Sequence, residues 1–214
     1  MSMKPILFNT EMVRAILDGR KTCTRRIVKQ QQLVGLLPDK CKNGVPEQFL
    51  KEKKLMFKPY CDMTDIELIN TAYKALYQPG DILYVRETWH KGLERYIYRA
   101  DYSDTEKFYR DGKEIGMKWH PSLHMPKEAA RLFLCVTNVR VERLQEITPQ
   151  GAWKEGARCS CLHPVPDCAG NKTTFVNIWN STIKKSDLDF YGWDANPYVW
   201  VIEFERRDKP ESEG

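Results

Sequence analysis

The sequence predicts an α+β fold in which a small, closed, mixed β-barrel carries helices at its ends. Short runs rich in β-branched and aromatic residues recur along the chain, and only a few segments show helical spacing. The 214 residues are enough for one domain with a sizeable core, and no internal repeat divides them. We therefore expect a single domain over residues 1–207, with insertions at about 29–78 and 157–172 and a tail at 208–214.

Local patterns place the first elements. A strand is expected at Lys4–Phe8, followed by a helix that Thr10 caps and that Gly19 ends in the left-handed conformation. A second strand should cover Lys21–Val28, and a capping-box pattern predicts a helix over Thr64–Leu76.

The later elements follow in mixed order. A change of phase near Thr137 predicts a β-bulge in the longest strand of this part. The expected elements are strands at Ile82–Trp89, Tyr96–Tyr98, Leu132–Arg143 and Tyr198–Phe204, and helices after Thr148 and around Phe175–Trp179.

Composition indicates a protein of the cytoplasm without a membrane partner. Hydrophobic residues make up 42% and charged residues 29%, as in soluble globular proteins. No apolar run approaches the length of a membrane span, and the N-terminus lacks a signal-peptide pattern. Seven cysteines, an odd number, argue against a closed disulfide framework.

Positive charge is concentrated in the first part of the chain. Residues 1–58 hold 13 Lys and Arg against 5 Asp and Glu, a net charge of +8, which leaves −3 for the remainder. This basic part is compatible with phosphate contacts, whereas the remainder argues against a purely electrostatic, nonspecific nucleic-acid binder. For Lys51, Lys53 and Lys54 we favour a solubilising surface.

The most informative segment is Gly19–Arg26, which combines lysine, threonine and arginine side chains where a helix ends and a strand begins. Strand alternation points Thr24 and Arg26 to one side, and Lys21 at the turn could join them. Packing does not need such a cluster, so we expect it to hold a polar or anionic ligand.

The spacing Gly19-x-Lys21-x-x-x-x-Arg26 resembles the signature of ASCH domains, a branch of the PUA-like β-barrels associated with RNA. The phrases Val85–Trp89 and His124–Arg131 resemble a phage and prophage subgroup of that family. The other matching segments are the turn and strand Pro79–Val85, the short helix from Ile147 to Glu155–Gly156, and the closing strand Asn196–Phe204.

The resemblance implies specific roles. In characterised amidohydrolases of the family, a Lys, a Thr and a Glu hydrolyse N4-acetylcytidine, and these positions fall on Lys21, Thr24 and Glu155. A threonine becomes a nucleophile when a base such as lysine takes its proton, and a carboxylate can orient that base or protonate the leaving amine. Arg26 could hold a phosphate or polarise a carbonyl. Outside the family, the same lysine and glutamate could be a simple surface ion pair.

Three functions remain open at this point. The first is a pocket that binds RNA or a modified nucleoside, and the second is an amidohydrolase that removes an acyl group from N4 of cytidine. The third is a phage-encoded interaction protein with a vestigial pocket. None of the three requires a cofactor.

Further residues are candidates for contacting the ligand. Trp89 and Trp153 could stack on a nucleobase, or could belong to the core. Arg86 and Glu87 could line the pocket as a couple, or form an internal salt bridge. The expected ligand-binding set is Gly19, Arg26, Arg86, Glu87, Trp89 and Trp153.

A cysteine-rich loop forms a separate candidate site. Cys159, Cys161, His163 and Cys168 lie within ten residues and could bind a structural zinc ion tetrahedrally. The spacing lacks the usual Cys-x-x-Cys knuckle, so the alternative is a loop with reduced thiols and no metal.

Overall fold

The structure is a computed structural model, which describes residues 3–28, 75–110 and 113–210, together with Ile66. Most of the predicted helix at Thr64–Leu76 and most of the predicted insertion at 29–78 lie outside these residues; Ile66 is helical, whereas Ala75 and Leu76 are not. Within them, no helix combines the length and the apolar character that crossing a membrane requires.

The described part of the chain contains nine strands and four α-helices. The strands are β1 (Met3–Leu7), β2 (Cys23–Ile27), β3 (Ile82–Arg86), β4 (Trp89–Lys91), β5 (Tyr96–Tyr98), β6 (Phe108–Arg110), β7 (Lys113–Ile115), β8 (Phe133–Arg143) and β9 (Tyr198–Arg207). The helices are α1 (Thr10–Leu17), α2 (Pro149–Lys154), α3 (Gly170–Thr182) and α4 (Leu188–Tyr191).

Five strands form one mixed sheet in the order β1-β3-β8-β9-β2. The pair β1–β3 is parallel, whereas the pairs β3–β8, β8–β9 and β9–β2 are antiparallel. Two separate antiparallel pairs, β4–β5 and β6–β7, stand outside this sheet. The α+β class that the sequence predicts is therefore confirmed.

The described strands leave the sheet open, so they do not form the closed barrel that the sequence predicts. Among them, β1 and β2 are the two edges and do not pair with each other. Instead, Arg26 on β2 donates a hydrogen bond from Nη2 to the carbonyl oxygen of Leu7 on β1, at 2.7 Å. Its guanidinium lies 5.3 Å from the ring centroid of Phe8. A side chain thus spans the gap that barrel closure would fill with a backbone ladder.

The ends of α1 differ in how well the sequence predicts them. Asn9, and not Thr10, is the N-cap, because Asn9 Oδ1 accepts the amide of Met12 at 2.9 Å. Thr10 is the first helical residue. Gly19 has a φ of 69° just after the helix, as predicted, and glycine reaches this left-handed region without steric cost.

Two further details of the strands were open to prediction. The bulge lies in β8 as predicted, where the register against β9 shifts between Val136 and Asn138. The expected continuous strand Ile82–Trp89 is wrong, since β3 ends at Arg86 and β4 begins at Trp89. At this break the amide of Glu87 contacts Met125 Sδ at 3.1 Å, so it has no ladder partner.

The core lies on both faces of the sheet. Neighbouring residues of β9 point to opposite faces, so this strand contributes Ile202 to one cluster and Val201 to the other. The cluster beneath α1 includes Ile6, Val13, Ile16, Leu83, Leu134 and Ile202. The cluster beneath α2 and α3 includes Leu144, Ala152, Phe175, Trp179, Val199 and Val201.

Truncating Leu134 should destabilise the fold strongly. This residue of β8 is fully buried, so Leu134→Ala leaves a cavity and should lower the free energy of unfolding by about 2–5 kcal/mol. The matched control Leu123→Ala removes a leucine that is 58% exposed and should change it by less than about 0.5 kcal/mol. Urea unfolding measures both, and equal effects would contradict the assignment of Leu134 to the core.

Candidate functional site

A cavity of about 400 Å³ lies beside β2, between α1 and α3. Because β2 is an edge strand, side chains from both of its faces reach this cavity. The lining residues include Met12 and Ala15 of α1, Lys21, Thr24, Arg25 and Arg26 around β2, Glu155 to Ala157, and Phe175, Ile178, Trp179 and Thr182 of α3.

The backbone positions Lys21 and Glu155 opposite each other. The amide of Lys21 donates to the carbonyl oxygen of Ala15 at 2.9 Å, which folds the turn back onto α1. Lys21 and Glu155 then form an isolated antiparallel β-bridge. Gly156 follows with a φ of 87°, and a Cβ there would lie 3.1 Å from Ala15 Cβ. The left-handed φ and this close approach to α1 together favour glycine here.

Lys21 and Glu155 form a buried ion pair. The Lys21 ammonium lies 2.6 Å from Glu155 Oε2 and 3.0 Å from the Glu155 carbonyl oxygen. The Lys21 side chain is 0% exposed and that of Glu155 is 7% exposed. The simple surface ion pair that the sequence left open is therefore not what forms here, and the two groups interact with little screening by water.

Arg25 holds the other oxygen of the same carboxylate, a contact that sequence reasoning missed. Its Nη1 lies 3.2 Å from Glu155 Oε1, and its Nη2 lies 3.1 Å from Glu142 Oε2. Strand alternation turns Arg25 away from Thr24, so the sequence pattern does not group Arg25 with Lys21, Thr24 and Arg26. The sequence offers one signal for this contact. The neighbouring residues Arg25 and Arg26 of β2 point to opposite faces, so packing on both faces of the strand must bury an arginine.

Thr24 and Arg26 reach the cavity from the opposite face of β2. Thr24 is buried and lines the cavity. Burial lowers the pKa of Arg26 below its ordinary value, but a guanidinium remains protonated at neutral pH. The Lys21 ammonium and the Arg26 guanidinium both approach the ring of Phe8, at 5.6 and 5.3 Å.

Cys23, which lies between Lys21 and Thr24 in the sequence, does not offer a reactive thiolate. It lines a second cavity of about 200 Å³, with Arg25, Arg140, Glu142 and Glu203 among the other lining residues. Burial and the nearby Glu155 carboxylate raise the pKa of the Cys23 thiol to about 12. The thiol therefore stays protonated at neutral pH.

Several predicted ligand contacts lie elsewhere. Gly19 shapes the turn before Lys21 but does not line the cavity. Trp153 stacks on Arg158, whose guanidinium is 4.0 Å from the ring centroid. Trp89 packs in a separate aromatic group with Tyr96 and His120, at centroid distances of 5.6 and 5.0 Å. Neither tryptophan lines the cavity, because each is held by packing of its own.

Arg86 and Glu87 also stay outside the cavity and do not pair with each other. Arg86 Nε donates to the carbonyl oxygen of Met125 at 2.8 Å. Glu87 accepts two hydrogen bonds from Arg131, at 2.9 and 3.0 Å, and Arg131 also reaches Asp101 at 2.8 Å. Arg131 lies over Tyr98, 3.9 Å from its centroid. This internal salt bridge has a structural role.

The cysteine-rich loop brings three sulfurs together. Cys159 Sγ lies 2.6 Å from Cys161 Sγ and 3.1 Å from Cys168 Sγ, and the remaining pair is 3.8 Å apart. This group could hold a metal ion. His163, the predicted fourth ligand, is exposed and does not belong to the group, because the loop carries it out toward solvent.

The fold and site define an α+β protein with a charged, largely buried cavity at a sheet edge. Comparison of the chain with protein-family models, with curated proteins and with solved structures finds no match. Membership of the ASCH family therefore stays a prediction from the motifs of the sequence.

Replacing Arg131 should destabilise the fold more than replacing its partner Glu87 with a neutral residue. Arg131→Met leaves the Glu87 carboxylate, which is 1% exposed, without its partner and should lower the free energy of unfolding by about 3–5 kcal/mol. In the matched control Glu87→Gln, Arg131 keeps its pair with Asp101, so the loss should be clearly smaller. Urea unfolding at neutral pH compares the two.

The deficit of Arg131→Met should also depend on pH. Burial raises the pKa of Glu87, although the hydrogen bonds and charge of Arg131 oppose the shift. A carboxyl with a raised pKa in the folded state stabilises the fold when protonated, and this contribution is lost as the pH rises through the folded pKa. Without Arg131 the pKa of Glu87 rises further, so the deficit should shrink as the pH is lowered from neutral. A deficit that does not change with pH would rule out Glu87 as its cause.

Proposed function

We propose that this chain is an ASCH domain of the PUA-like class and that its cavity binds the base of a modified nucleoside, free or within RNA. The motif resemblance supports the family, and the position of the motif residues supports the ligand. Lys21, Thr24, Arg26 and Glu155 are separated by up to 134 residues in sequence, yet all of them line one cavity.

The buried Lys21–Glu155 pair is the observation on which the proposal rests. Removing two charges from water is unfavourable, and a packed apolar pair of similar volume often stabilises a fold as well or better. Such a pair at the wall of a cavity is better explained by a ligand with hydrogen-bonding groups of its own. A nucleobase edge offers both donors and acceptors at this spacing.

The size and lining of the cavity favour one nucleoside. A volume of about 400 Å³ lies in the range of small-molecule pockets and is too small for a duplex. The apolar walls from α3, with Phe175 and Trp179, could contact the faces of a base. Arg20, which is partly exposed at the rim, could meet a phosphate, although it also pairs with Asp18 at 2.8 Å.

Binding can be tested by calorimetry with N4-acetylcytidine, cytidine and a short single-stranded RNA that carries the modified base. We expect the modified nucleoside to bind, and Lys21→Ala to weaken binding at least about tenfold, because it removes one arm of the Glu155 clamp. Lys91→Ala, which changes an exposed lysine of β4, serves as the matched control.

The three ligands separate the alternatives. Preference for the RNA over the free nucleoside would indicate contacts beyond the cavity. No binding of any of them, or equal binding by wild type and Lys21→Ala, would contradict the proposal and favour an interaction protein with a vestigial pocket.

Hydrolysis of N4-acylcytidine is the second candidate function. The observation that favours it is the position of Thr24, a buried hydroxyl residue that lines the same cavity as the buried Lys21–Glu155 pair. A nucleophile and a proton-transferring couple are the parts that such a reaction needs.

The proton transfers of this reaction return Lys21 and Glu155 to their starting charges. Lys21 passes a proton across the 2.6 Å contact to Glu155, and the neutral amine then accepts the Thr24 hydroxyl proton. Thr24 Oγ1 bonds to the acyl carbon, the bond from that carbon to N4 breaks, and Glu155 protonates the leaving amine. Water then cleaves the threonine ester, which releases acetate and restores the hydroxyl.

Liquid chromatography of N4-acetylcytidine incubated with the protein tests the reaction. Wild type should form cytidine, and Thr24→Val, which keeps the shape of the side chain, should lower the rate by at least about a hundredfold. Thr24→Ser restores a hydroxyl and should recover part of the activity. If Thr24→Val binds the nucleoside and hydrolyses it as fast as wild type, Thr24 is not the nucleophile.

The cysteine cluster has a separate place in this proposal. Its three cysteines do not line the cavity, so an ion held there would not touch the ligand. Thiolates are soft ligands and suit zinc. The ion is therefore proposed to be zinc, with a structural role.

A further inference from the structure

We infer that Cys159, Cys161 and Cys168 form a zinc clip that fastens one wall of the cavity to α3. The inference rests on the proposed function only in assigning importance to the cavity, since metal binding can be measured without any ligand. Its basis is the convergence of the sulfurs, the scaffold around them and the place of the loop in the chain.

The three sulfurs have the spacing of a partly assembled metal site. Around a tetrahedral zinc with bonds of about 2.3 Å, sulfur atoms lie about 3.8 Å apart. Cys161 and Cys168 are already at 3.8 Å, and the other two separations are 2.6 and 3.1 Å. Small side-chain rotations would open the group enough to admit the ion. Three thiolates leave the fourth position to solvent or to a residue of the exposed loop.

A buried amide side chain holds the loop in this shape. Asn171 is 0% exposed and accepts the amide of Cys159 on Oδ1 at 2.9 Å. Its Nδ2 donates to the carbonyl oxygens of Val165 and Pro166, at 2.9 and 3.0 Å. One side chain therefore fixes the backbone before and within the loop. Buried polar groups that are fully bonded in this way rigidify their surroundings.

The ends of the loop approach so closely that one residue must be glycine. A Cβ at Gly170 would lie 2.7 Å from Cys159 Cβ and 3.6 Å from Cys168 Sγ. Glycine at this position therefore leaves free the space beside the three sulfurs that a larger side chain would fill. This feature has no use in packing the core, but it allows the thiols to converge.

The loop connects two walls of the cavity. Ala157, which lines the cavity, precedes Cys159 by two residues, and α3 begins two residues after Cys168. The first cavity residue on α3, Phe175, follows within two helical turns. An ion that joins the two ends of the loop would therefore fix Glu155–Ala157 relative to α3.

Elemental analysis of the full chain, purified under reducing conditions without chelator, tests the site. We expect about one zinc ion per chain in the wild type. Cys161→Ser should lose it, and because Cys161 is exposed, the fold should survive the change. Cys135→Ser, at the third residue of β8, is the matched control and should retain the zinc.

Several results would overturn the assignment. These are a wild type that binds no zinc after incubation with zinc chloride and reductant, a Cys161→Ser variant that binds as much as wild type, or copper or iron in place of zinc. If Cys161→Ser does not fold, cobalt titration of the wild type decides the question, because thiolate ligation gives an intense near-ultraviolet band. No such band would exclude the three-sulfur site.

The role as a clip has its own readout. Removing zinc with a chelator should increase hydrogen exchange at the amides of the first two turns of α3, while exchange in β8 and β9 stays unchanged. Zinc binding without this local change would leave a metal site but exclude the clip. Neither outcome depends on whether the cavity binds a nucleoside.

Discussion

The carboxylate of Glu155 is the point on which the site depends. One oxygen is held by Lys21 from the turn after α1, and the other by Arg25 from β2. These contacts join three segments that no continuous backbone ladder connects. A carboxylate fixed by two cations keeps its orientation when a ligand enters, which is the preorganisation that binding and catalysis both require. Replacing Lys21 or Arg25 would leave one oxygen of the Glu155 carboxylate without this partner, while the cavity itself would remain.

The structure contains a second buried carboxylate with a comparable partner, and the contrast shows what marks a site. Glu87 receives a two-pronged contact from Arg131, and Asp101 completes the group. Tyr98 covers the guanidinium, and the hydrogen bonds of this group are used within the protein. Both clusters contain the residue types that suggest chemistry in a sequence. Of the two, the Glu155 cluster is the one that lines the cavity beside β2.

Sequence reasoning predicted several local features, because they depend on neighbouring residues. The Gly19 turn, the β8 bulge and the cap of α2, where the Gly151 amide donates to Thr148 Oγ1, belong to this kind. The cap of α1 was assigned to Thr10, the residue next to the true cap Asn9. It predicted the grouping of Lys21 with Glu155 only through the family motif, since periodicity says nothing about contacts at a separation of 134 residues. Arg25 was missed because alternation assigns it to the other face, and it reaches Glu155 only because an edge strand leaves both faces accessible. The predicted closure of the barrel is wrong, because the residue pattern within single strands does not encode whether the two edge strands, β1 and β2, pair with each other.

The position of β9 has a consequence for how the protein is made. This strand lies between β8 and β2, and it pairs with residues that were synthesised about 180 positions earlier. Until it leaves the ribosome, β2 has no neighbour in the sheet and β8 has an open edge, which are features that promote aggregation. The buried charges around Lys21 would meanwhile stay in water. Because β1, β3 and β8 can pair before β9 is made, β9 and β2 should join the sheet late in folding.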